Sequence, residues 1–396
     1  MQFFTHETLT GSVALKTTRE LRITFRVFPM AEIYDPQALR RELHEMPELA
    51  LHEEKTAAYV AEKLEALGIE THRNVGGTTG VLGIIRGKEP GPVMMLRADM
   101  DALPFVIDGK PCCIHACGHD GHTAMLLAAA SRLKDKVRRG TLKLLFQPAE
   151  ETLDGAPAMI KAGVIDDVDM ILGAHIRPIQ DVPAGKICPA VRHTASTTVF
   201  VEIEGRGAHA SRPHLGVNAI DVSCAVIEGV QAIWLDPKMS WSSKATQIHA
   251  DAGATNTVPD KARITFDVRA QTNDLMDALL KRMEEVVNGT AAAYGAKGKL
   301  IRNAVCPACW YDDDFTAEVA DAIRETAGEE NLAHDCGGGG EDFHFYKLHR
   351  PQMKAAYFGV GVGATPGLHA ATMHFDDSLL KLGVNVFENM VLRHLG

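Results

Sequence analysis

Residues 142–151 read LKLLFQPAEE, a short apolar run that ends in two adjacent glutamates. The apolar part, Leu142–Phe146, has the length and composition of a buried β-strand. Glu150 and Glu151 follow it closely, and in an extended segment their side chains would point to opposite sides. Burying a charge without a partner carries a heavy desolvation penalty, so an unpaired acidic pair at a buried strand end would be unstable. A bound metal ion removes that objection, and the pair therefore indicates a metal site.

Two other strand-like runs end in polar residues in the same way. Val93–Leu96 precedes Asp99 and Asp101. Met170–Ala174 precedes His175. Short buried strands that alternate with helical stretches predict an α/β fold with a mostly parallel sheet. In open sheets of this kind ligands bind beyond the carboxyl ends of the strands, so segments far apart in sequence would deliver their side chains to one crevice.

The sequence HACGHDGHT around Cys117 and His119 adds a thiol and several imidazoles between glycines. Cys117 and His119 lie two residues apart on a loop, where both can point at one ion. His175 and His374 supply further imidazoles, and Glu151 supplies a carboxylate. These ligands would suffice for two metal ions that share a bridge and leave positions open for water and substrate. The pattern predicts a metallohydrolase.

The composition is that of an ordinary globular protein, with 46% hydrophobic and 23% charged residues among 396. A chain of this length predicts two domains. The net charge of −10 argues against nucleic acid or an anionic membrane as the main partner. No apolar run reaches the roughly 20 residues of a membrane span. The eight cysteines form no regular framework, which predicts free thiols and a cytoplasmic location.

Residues 190–305 follow a different pattern, and we expect them to form an inserted domain. Their order of strand, helix, two strands, helix and strand is typical of an α+β ferredoxin-like sandwich with an antiparallel sheet. The metal-binding catalytic domain would then comprise residues 30–189 and 306–396. Residues 1–29 fit poorly with the rest, and we expect disorder or an upstream start-site extension there. Asp35 is the expected N-cap of the first helix.

Three polar residues of the inserted region are candidates for substrate contact. His209 lies in a glycine-containing turn after a strand, and Asn256 and Arg269 flank another strand. An arginine at a strand end can bind a carboxylate through two parallel hydrogen bonds. Each of the three, taken alone, is more typical of a structural role.

Five motifs together resemble the aminoacylase and glutamate-carboxypeptidase family of dinuclear metallohydrolases. Within that family the chain is most similar to the branch that includes hippurate hydrolases and plant auxin-conjugate hydrolases. The resemblance extends from about residue 39 to the C-terminus. The motifs are Arg97–Pro104 (RADMDALP), Ala116–Asp120 (ACGHD), Gln147–Glu151 (QPAEE), Gly207–Ser211 (GAHAS) and Glu341–Phe343 (EDF).

The resemblance implies a role for each candidate residue. The implied metal ligands are Cys117, His119, Glu151, His175 and His374. The implied catalytic and substrate-binding residues are Glu150, Asp101, His209, Asn256, Arg269 and Gly340. Glu150 would be the general base and later the proton donor, His209 would stabilise the oxyanion in a neighbouring subunit's site, and Arg269 would hold the substrate carboxylate. The inserted domain would be both a lid and the interface of a homodimer.

The reaction that we predict is hydrolysis of the amide bond of an N-acyl amino acid to a carboxylic acid and a free amino acid. Thiolate and imidazole ligands suit zinc, cobalt or nickel, while the resemblance points equally to manganese. One alternative is a dipeptidase or carboxypeptidase of the same family. A second alternative, from another class, is a protein that binds metal and small molecules without catalysis.

Overall fold

The computed structural model of the protein describes residues 33–396. The extension predicted for residues 1–29 lies outside the described residues. The first helix begins as the sequence predicted: the Asp35 side chain accepts a hydrogen bond from the Gln37 amide at 3.3 Å, and Pro36 opens the first turn. Within the described part of the chain, no helix has both the length and the apolar character needed to cross a membrane.

Helices and strands alternate along most of the described chain. The helices are α1 (Pro36–His44), α2 (Glu54–Ala66), α3 (His119–Leu133), α4 (Gly155–Lys161), α5 (Ala219–Gln231), α6 (Asn273–Ala293), α7 (Asp313–Ala327), α8 (His344–His349) and α9 (Leu380–Leu395). The strands are β1 (Glu70–Val75), β2 (Gly80–Arg86), β3 (Glu89–Asp99), β4 (Leu103–Ile107), β5 (Lys110–Ile114), β6 (Arg139–Gln147), β7 (Met170–Pro178), β8 (Ile187–Cys188), β9 (Val191–Arg192), β10 (Ala195–Glu204), β11 (Ala208–His209), β12 (Trp241–His249), β13 (Thr257–Val258), β14 (Lys261–Ala270), β15 (Lys297–Arg302), β16 (Cys336–Gly337) and β17 (Lys354–Ala364).

The larger sheet has seven strands in the order β1-β2-β6-β3-β7-β17-β8. The four strands in its middle, β6, β3, β7 and β17, run parallel to one another. The strands toward both edges pair antiparallel. Every residue of β7 except Pro178 is buried, which is typical of a parallel strand covered on both faces. The predicted α/β fold with a mostly parallel central sheet is confirmed.

Helices cover both faces of this sheet. On one face α3 packs against α1, α9 and β3, and it is buried along nearly its whole length. On the other face α4 and α8 pack on apolar side chains that include Met95, Ile171 and Tyr357. Because both faces are covered, polar side chains at the strand ends lie at the carboxyl edge of the sheet.

A second sheet has four antiparallel strands in the order β12-β14-β10-β15. Helices α5 and α6 pack on it, and alternate residues of β10 point into the shared core. The chain order confirms the predicted α+β ferredoxin-like arrangement. A short 3-10 turn occupies Pro213–Leu215, and the Asn218 side chain then caps α5 by accepting a hydrogen bond from the Ile220 amide at 3.0 Å.

Candidate metal centre and active site

Three neighbouring parallel strands bring polar residues to one edge of the larger sheet. Strand β3 ends at Asp99, and β6 ends at Gln147, just before the glutamate pair. The sequence predicted that β7 would end at Ala174, but the strand continues to Pro178 because β17 still pairs with it there. His175 therefore projects from the strand itself, near its carboxyl end.

A thiol and two imidazoles meet at this edge. The Cys117 Sγ lies 3.5 Å from the His175 Nε2. The ligand atoms of Cys117, His119 and His175 all lie within 4.8 Å of one another. Gly118 makes this possible: its φ is +89°, and a Cβ there would come within 2.2 Å of the Ile176 Cδ1. The glycine lets the chain turn sharply, so that Cys117 on the loop and His119 at the start of α3 face the same point.

The two glutamates lie in a turn after β6, so the predicted extended conformation is wrong at this position. Ala149 has a φ of +55°, which bends the chain back at the end of the strand. Oxygens of Glu150 and Glu151 each lie 3.9 Å from the His119 Nε2. Both carboxylates therefore face the same imidazole, whereas an extended segment would have directed them to opposite sides.

Asp101 holds this arrangement together. Its Oδ1 accepts hydrogen bonds from the Glu150 amide at 3.1 Å and from the His119 Nδ1 at 3.2 Å. Its Oδ2 accepts from the Glu151 amide at 3.0 Å. Because the Nδ1 of His119 carries the proton of that bond, its Nε2 keeps a lone pair for a ligand. The Nδ1 of His175 likewise donates to the Ile176 carbonyl, which leaves the Nε2 of His175 facing Cys117.

His369 lies beside this group, and His374, the histidine that the sequence predicted as a ligand, does not. The His369 Nε2 is 3.5 Å from the Glu151 Oε1, and Cys117, Glu151 and His369 form a compact set of ligand atoms. His374 is exposed, and its Nδ1 donates to the Thr372 carbonyl at 3.1 Å. Within residues 33–396, His374 belongs to none of the compact sets of metal-ligating atoms.

The side chains present fit a divalent cation. The Nε2 of His119 and the Oε1 of Glu151 are buried and have no hydrogen-bond partner among the described residues. A buried polar atom left unsatisfied costs roughly 1–3 kcal/mol. Burial raises the pKa of the Cys117 thiol, and burial together with the charges of Glu341 and Asp342 raises the pKa of Glu150. A cation bound here would satisfy the two free atoms and favour the charged forms of the thiol and the carboxyl groups.

The neighbouring His122 has a different role. Its Nδ1 donates to the Asp99 Oδ1 at 2.6 Å, and its Nε2 accepts a hydrogen bond from the Ile176 amide at 2.9 Å. Both ring nitrogens are engaged, so this imidazole fastens β3 to β7 beside the ligand group.

A buried arginine, to which the sequence analysis gave no role, connects the Arg97–Pro104 and Glu341–Phe343 motifs. Arg97 is 1% exposed and pairs with Asp99 at 2.6 Å, Asp342 at 2.6 Å and Glu341 at 3.0 Å. The amide of Asp342 in turn donates to the Glu150 Oε1 at 3.4 Å. Glu341 and Asp342 are therefore bonded to Arg97, and Asp342 is also bonded to Glu150, which is not among the predicted metal ligands. In the sequence, the contact between Arg97 and the Glu341–Asp342 pair was indicated only by the fact that both motifs belong to the pattern of the same family.

The candidate substrate-binding residues lie apart from the ligand group. His209 is exposed in β11, and its Nδ1 accepts hydrogen bonds from the Ser211 amide and hydroxyl at 3.1 and 2.8 Å. Asn256 is its neighbour across the turn, since the Asn256 carbonyl accepts from the Ala210 amide at 2.8 Å. For the chain from residue 33 onward, no hydrogen bond or ion pair joins His209 or Asn256 to Cys117.

Arg269 lines a cavity of about 360 Å³ with residues of β10 and of the segment after β15. Leu153, two residues beyond Glu151, lines the same cavity, as does Ser196. The guanidinium of Arg269 forms two hydrogen bonds with Asp267, at 3.0 and 3.1 Å. Gly340 borders this region, because a Cβ there would lie 3.2 Å from the Ser196 Oγ. Arg269 and Gly340 thus lie at or beside one cavity, which Leu153 of the glutamate turn also lines.

The chain is similar to known proteins over most of its length. A model of Peptidase family M20/M25/M40 matches residues 95–393. The chain is 34% identical over 387 residues to the hippurate hydrolase of Campylobacter jejuni, covering 92% of this chain and 98% of the relative. It is 38% identical over 278 residues to an N-acyl-L-amino acid amidohydrolase of Geobacillus stearothermophilus, covering 66% and 74% of the two chains.

The solved structure of the Bacillus subtilis YXEP protein, described as a dinuclear metal binding peptidase from the M20 family, is similar throughout. It superposes with a TM-score of 0.77 at 28% identity and covers 91% of this chain and 97% of that one. The family predicted from the five motifs is therefore confirmed, and this chain is a member of the peptidase family M20/M25/M40.

Proposed function

We propose that this protein is a metal-dependent amidohydrolase that cleaves N-acyl amino acids into a carboxylic acid and a free amino acid. The observation that carries the proposal is a buried carboxylate, Glu150, directly beside a Cys, His and Glu ligand group. The similarity to a hippurate hydrolase and to an N-acyl-L-amino acid amidohydrolase supports the substrate class.

The ligand set that we propose for two divalent ions is Cys117, His119, Glu151, His175 and His369. Manganese or zinc is the expected metal, and cobalt or nickel also suits the sulfur and nitrogen donors. Bound there, the ions would act as Lewis acids that polarise the amide carbonyl and lower the pKa of water to about 7.

Glu150 is the residue that moves the proton in this proposal. Its carboxylate accepts a proton from the attacking water and later returns it to the leaving nitrogen. The Asp342 amide, at 3.4 Å from the Glu150 Oε1, and the Asp101 carboxylate, which accepts from the Glu150 amide, hold it in position. The guanidinium of Arg269 would bind the substrate carboxylate.

We further propose that residues 30–189 and 306–396 form the catalytic domain, while residues 190–305 form a lid and the interface of a homodimer. Exposed apolar side chains in the latter support an interface: Trp234 is 84% exposed and Ile220 is 39% exposed. The eight free thiols are compatible with a cytoplasmic enzyme.

The substrate class can be tested with a panel of acetyl- and benzoyl-amino acids and of dipeptides. The protein is stripped of metal and reloaded separately with manganese, zinc, cobalt or nickel. We expect metal-dependent release of amino acid from the acyl compounds in preference to dipeptides. Faster cleavage of dipeptides would favour the peptidase alternative, which the family description also supports. Stoichiometric metal without any hydrolysis would favour a binding protein.

The His209→Ala variant tests the oxyanion role. We expect kcat to fall by about a hundredfold to a thousandfold, because one preorganised donor to the oxyanion is lost. The matched control is His214→Ala, since His214 is also exposed and lies five residues away. If His209 acts in the partner subunit, mixing His209→Ala with Glu150→Gln subunits creates one intact site per mixed dimer, and activity returns. Unchanged kcat in His209→Ala would mean that the residue is structural.

A further inference from the structure

Two thiols far apart in sequence touch each other beside the candidate active site. The Sγ atoms of Cys188 and Cys336 lie 3.4 Å apart, although the residues are separated by 148 positions. Both are free thiols. Cys188 is the last residue of β8, and Cys336 is the first residue of β16.

The backbone on both sides holds the two thiols together. Cys188 pairs with Gly359 of β17, and a Cβ on Gly359 would lie only 2.6 Å from the Cys188 Sγ. The glycine thus leaves the room that this thiol occupies. The Cys336 amide donates to the Ala190 carbonyl at 3.2 Å, and β16 pairs with β9. A disulfide has an S–S length of about 2.05 Å, so the two sulfurs would have to approach by roughly 1.4 Å.

The two cysteines differ in reactivity. The hydrogen bond between the two thiols and the charge of Arg177 lower the pKa of Cys336, while that hydrogen bond and burial raise the pKa of Cys188. The Arg177 guanidinium is fixed here by Asp181 and by the Gly337 carbonyl, the latter at 3.2 Å. Cys336 is partly exposed, whereas Cys188 is fully buried. Cys336 is therefore the sulfur that an oxidant can reach, and Cys188 is the thiol placed to react with the product.

We propose that Cys188 and Cys336 form a reversible disulfide when the enzyme meets a hydroperoxide, and that this bond slows turnover. The Cys336 thiolate attacks the peroxide O–O bond, which leaves a sulfenic acid on Cys336 and releases hydroxide, protonated to water. The Cys188 sulfur then displaces the sulfenic hydroxyl as a second water molecule. Two thiols lose two electrons and two protons, and hydrogen peroxide is reduced to two waters.

The segment after Cys336 links this bond to the active site. It continues through four glycines, of which Gly338 and Gly339 have φ angles of +100° and +76°. It ends at Glu341 and Asp342, which pair with Arg97, and the Asp342 amide donates to Glu150. Drawing Cys336 toward Cys188 pulls on one end of this segment. The effect on turnover rests on the proposed function, whereas disulfide formation does not.

The test uses the metal-loaded enzyme treated with hydrogen peroxide, then blocked with iodoacetamide, unfolded and digested. We expect a peptide pair linked through Cys188 and Cys336, and a fall from eight to six free thiols. Turnover should drop at least about fivefold and recover with dithiothreitol. The Cys336→Ser and Cys188→Ser variants should retain turnover under the same peroxide treatment. The control Cys224→Ser removes an exposed thiol on α5 and should respond as the unsubstituted protein does.

Several outcomes would overturn the proposal. Absence of the linked peptides, while other thiols are oxidised, would exclude the disulfide. A loss of turnover in Cys336→Ser equal to that of the unsubstituted protein would show that peroxide acts elsewhere, for instance at Cys117. Detection of the peptides linked through Cys188 and Cys336 together with unchanged turnover would show that the disulfide does not regulate activity. An enzyme inactive before oxidation would instead refute the proposed amidohydrolase function, since the linked peptides can be detected without turnover.

Discussion

Replacing Glu150 by glutamine should leave the fold and the bound metal intact while lowering kcat by about a hundredfold to ten-thousandfold, the range typical of a lost general acid–base group. Glutamine has nearly the same shape, and its carbonyl oxygen can still accept the hydrogen bond from the Asp342 amide. It cannot take a proton from water or return one to the leaving nitrogen. The loss should therefore fall on kcat, with little change in KM.

Three measurements distinguish loss of the general base from loss of metal or loss of folding. Elemental analysis gives the metal content, thermal unfolding gives the stability, and steady-state kinetics gives kcat on the best N-acyl amino acid. Glu204→Gln is the matched control, because Glu204 is an exposed glutamate at the end of β10 in the other sheet. Near-normal kcat with metal bound would contradict the role assigned to Glu150. Loss of metal would instead make Glu150 a ligand.

Much of the site could be predicted because its residues follow strands with a clear apolar signal. Glu150 and Glu151 come after β6, and His175 lies near the end of β7. In a parallel sheet the carboxyl ends of the strands meet at one edge, so the predicted strand ends also gave the positions of these side chains. The order of elements in the second sheet was predictable in part for the same reason, since β10 alternates buried and less buried residues over its whole length.

Residues whose partners lie far away in sequence gave no such signal. Arg97 and Asp342 are separated by 245 positions in the sequence. They come together because α8 and the turn before it pack against the sheet. Arginine and aspartate are usually exposed, so hydropathy would assign both to the surface. Their burial is stable because each charge meets several partners, including the Gln147 amide, which donates to Asp342 at 2.8 and 2.9 Å.

The sequence predicted His374 as the last ligand, whereas the structure places His369 beside Glu151, for a related reason. Both histidines lie in a loop between β17 and α9, where no periodic pattern fixes which side chain turns inward. In the structure one backbone contact places His369: its amide donates to the Ala116 carbonyl at 2.8 Å, next to Cys117. With its backbone held there, His369 has its imidazole 3.5 Å from the Glu151 carboxylate.

Replacing His369 by alanine should therefore remove metal and activity, whereas replacing His374 should not. Loss of an outer-shell partner of a metal ligand typically lowers affinity by about 10–100-fold, and we expect loss of the ligand itself to exceed that. In His369→Ala, metal content should fall toward one ion per subunit or below after dialysis, and kcat should fall with it. In the part of the chain that the structure describes, the His374 side chain bonds only to the Thr372 carbonyl, and its backbone pairs with Thr365. Its substitution should change kcat by less than about twofold, as for other exposed residues.

The two variants control for each other, since both remove one exposed imidazole from the same loop. Metal content, the metal-induced rise in Tm and kcat are measured side by side for both proteins. Metal that stabilises the native state raises Tm because it binds the folded chain in preference to the unfolded one, so a lost ligand reduces this rise. If His374→Ala loses metal and His369→Ala retains it, the ligand predicted from the sequence is correct and the loop must bind metal in another conformation. If both retain metal and activity, neither histidine completes the site, and the fifth ligand must come from another residue.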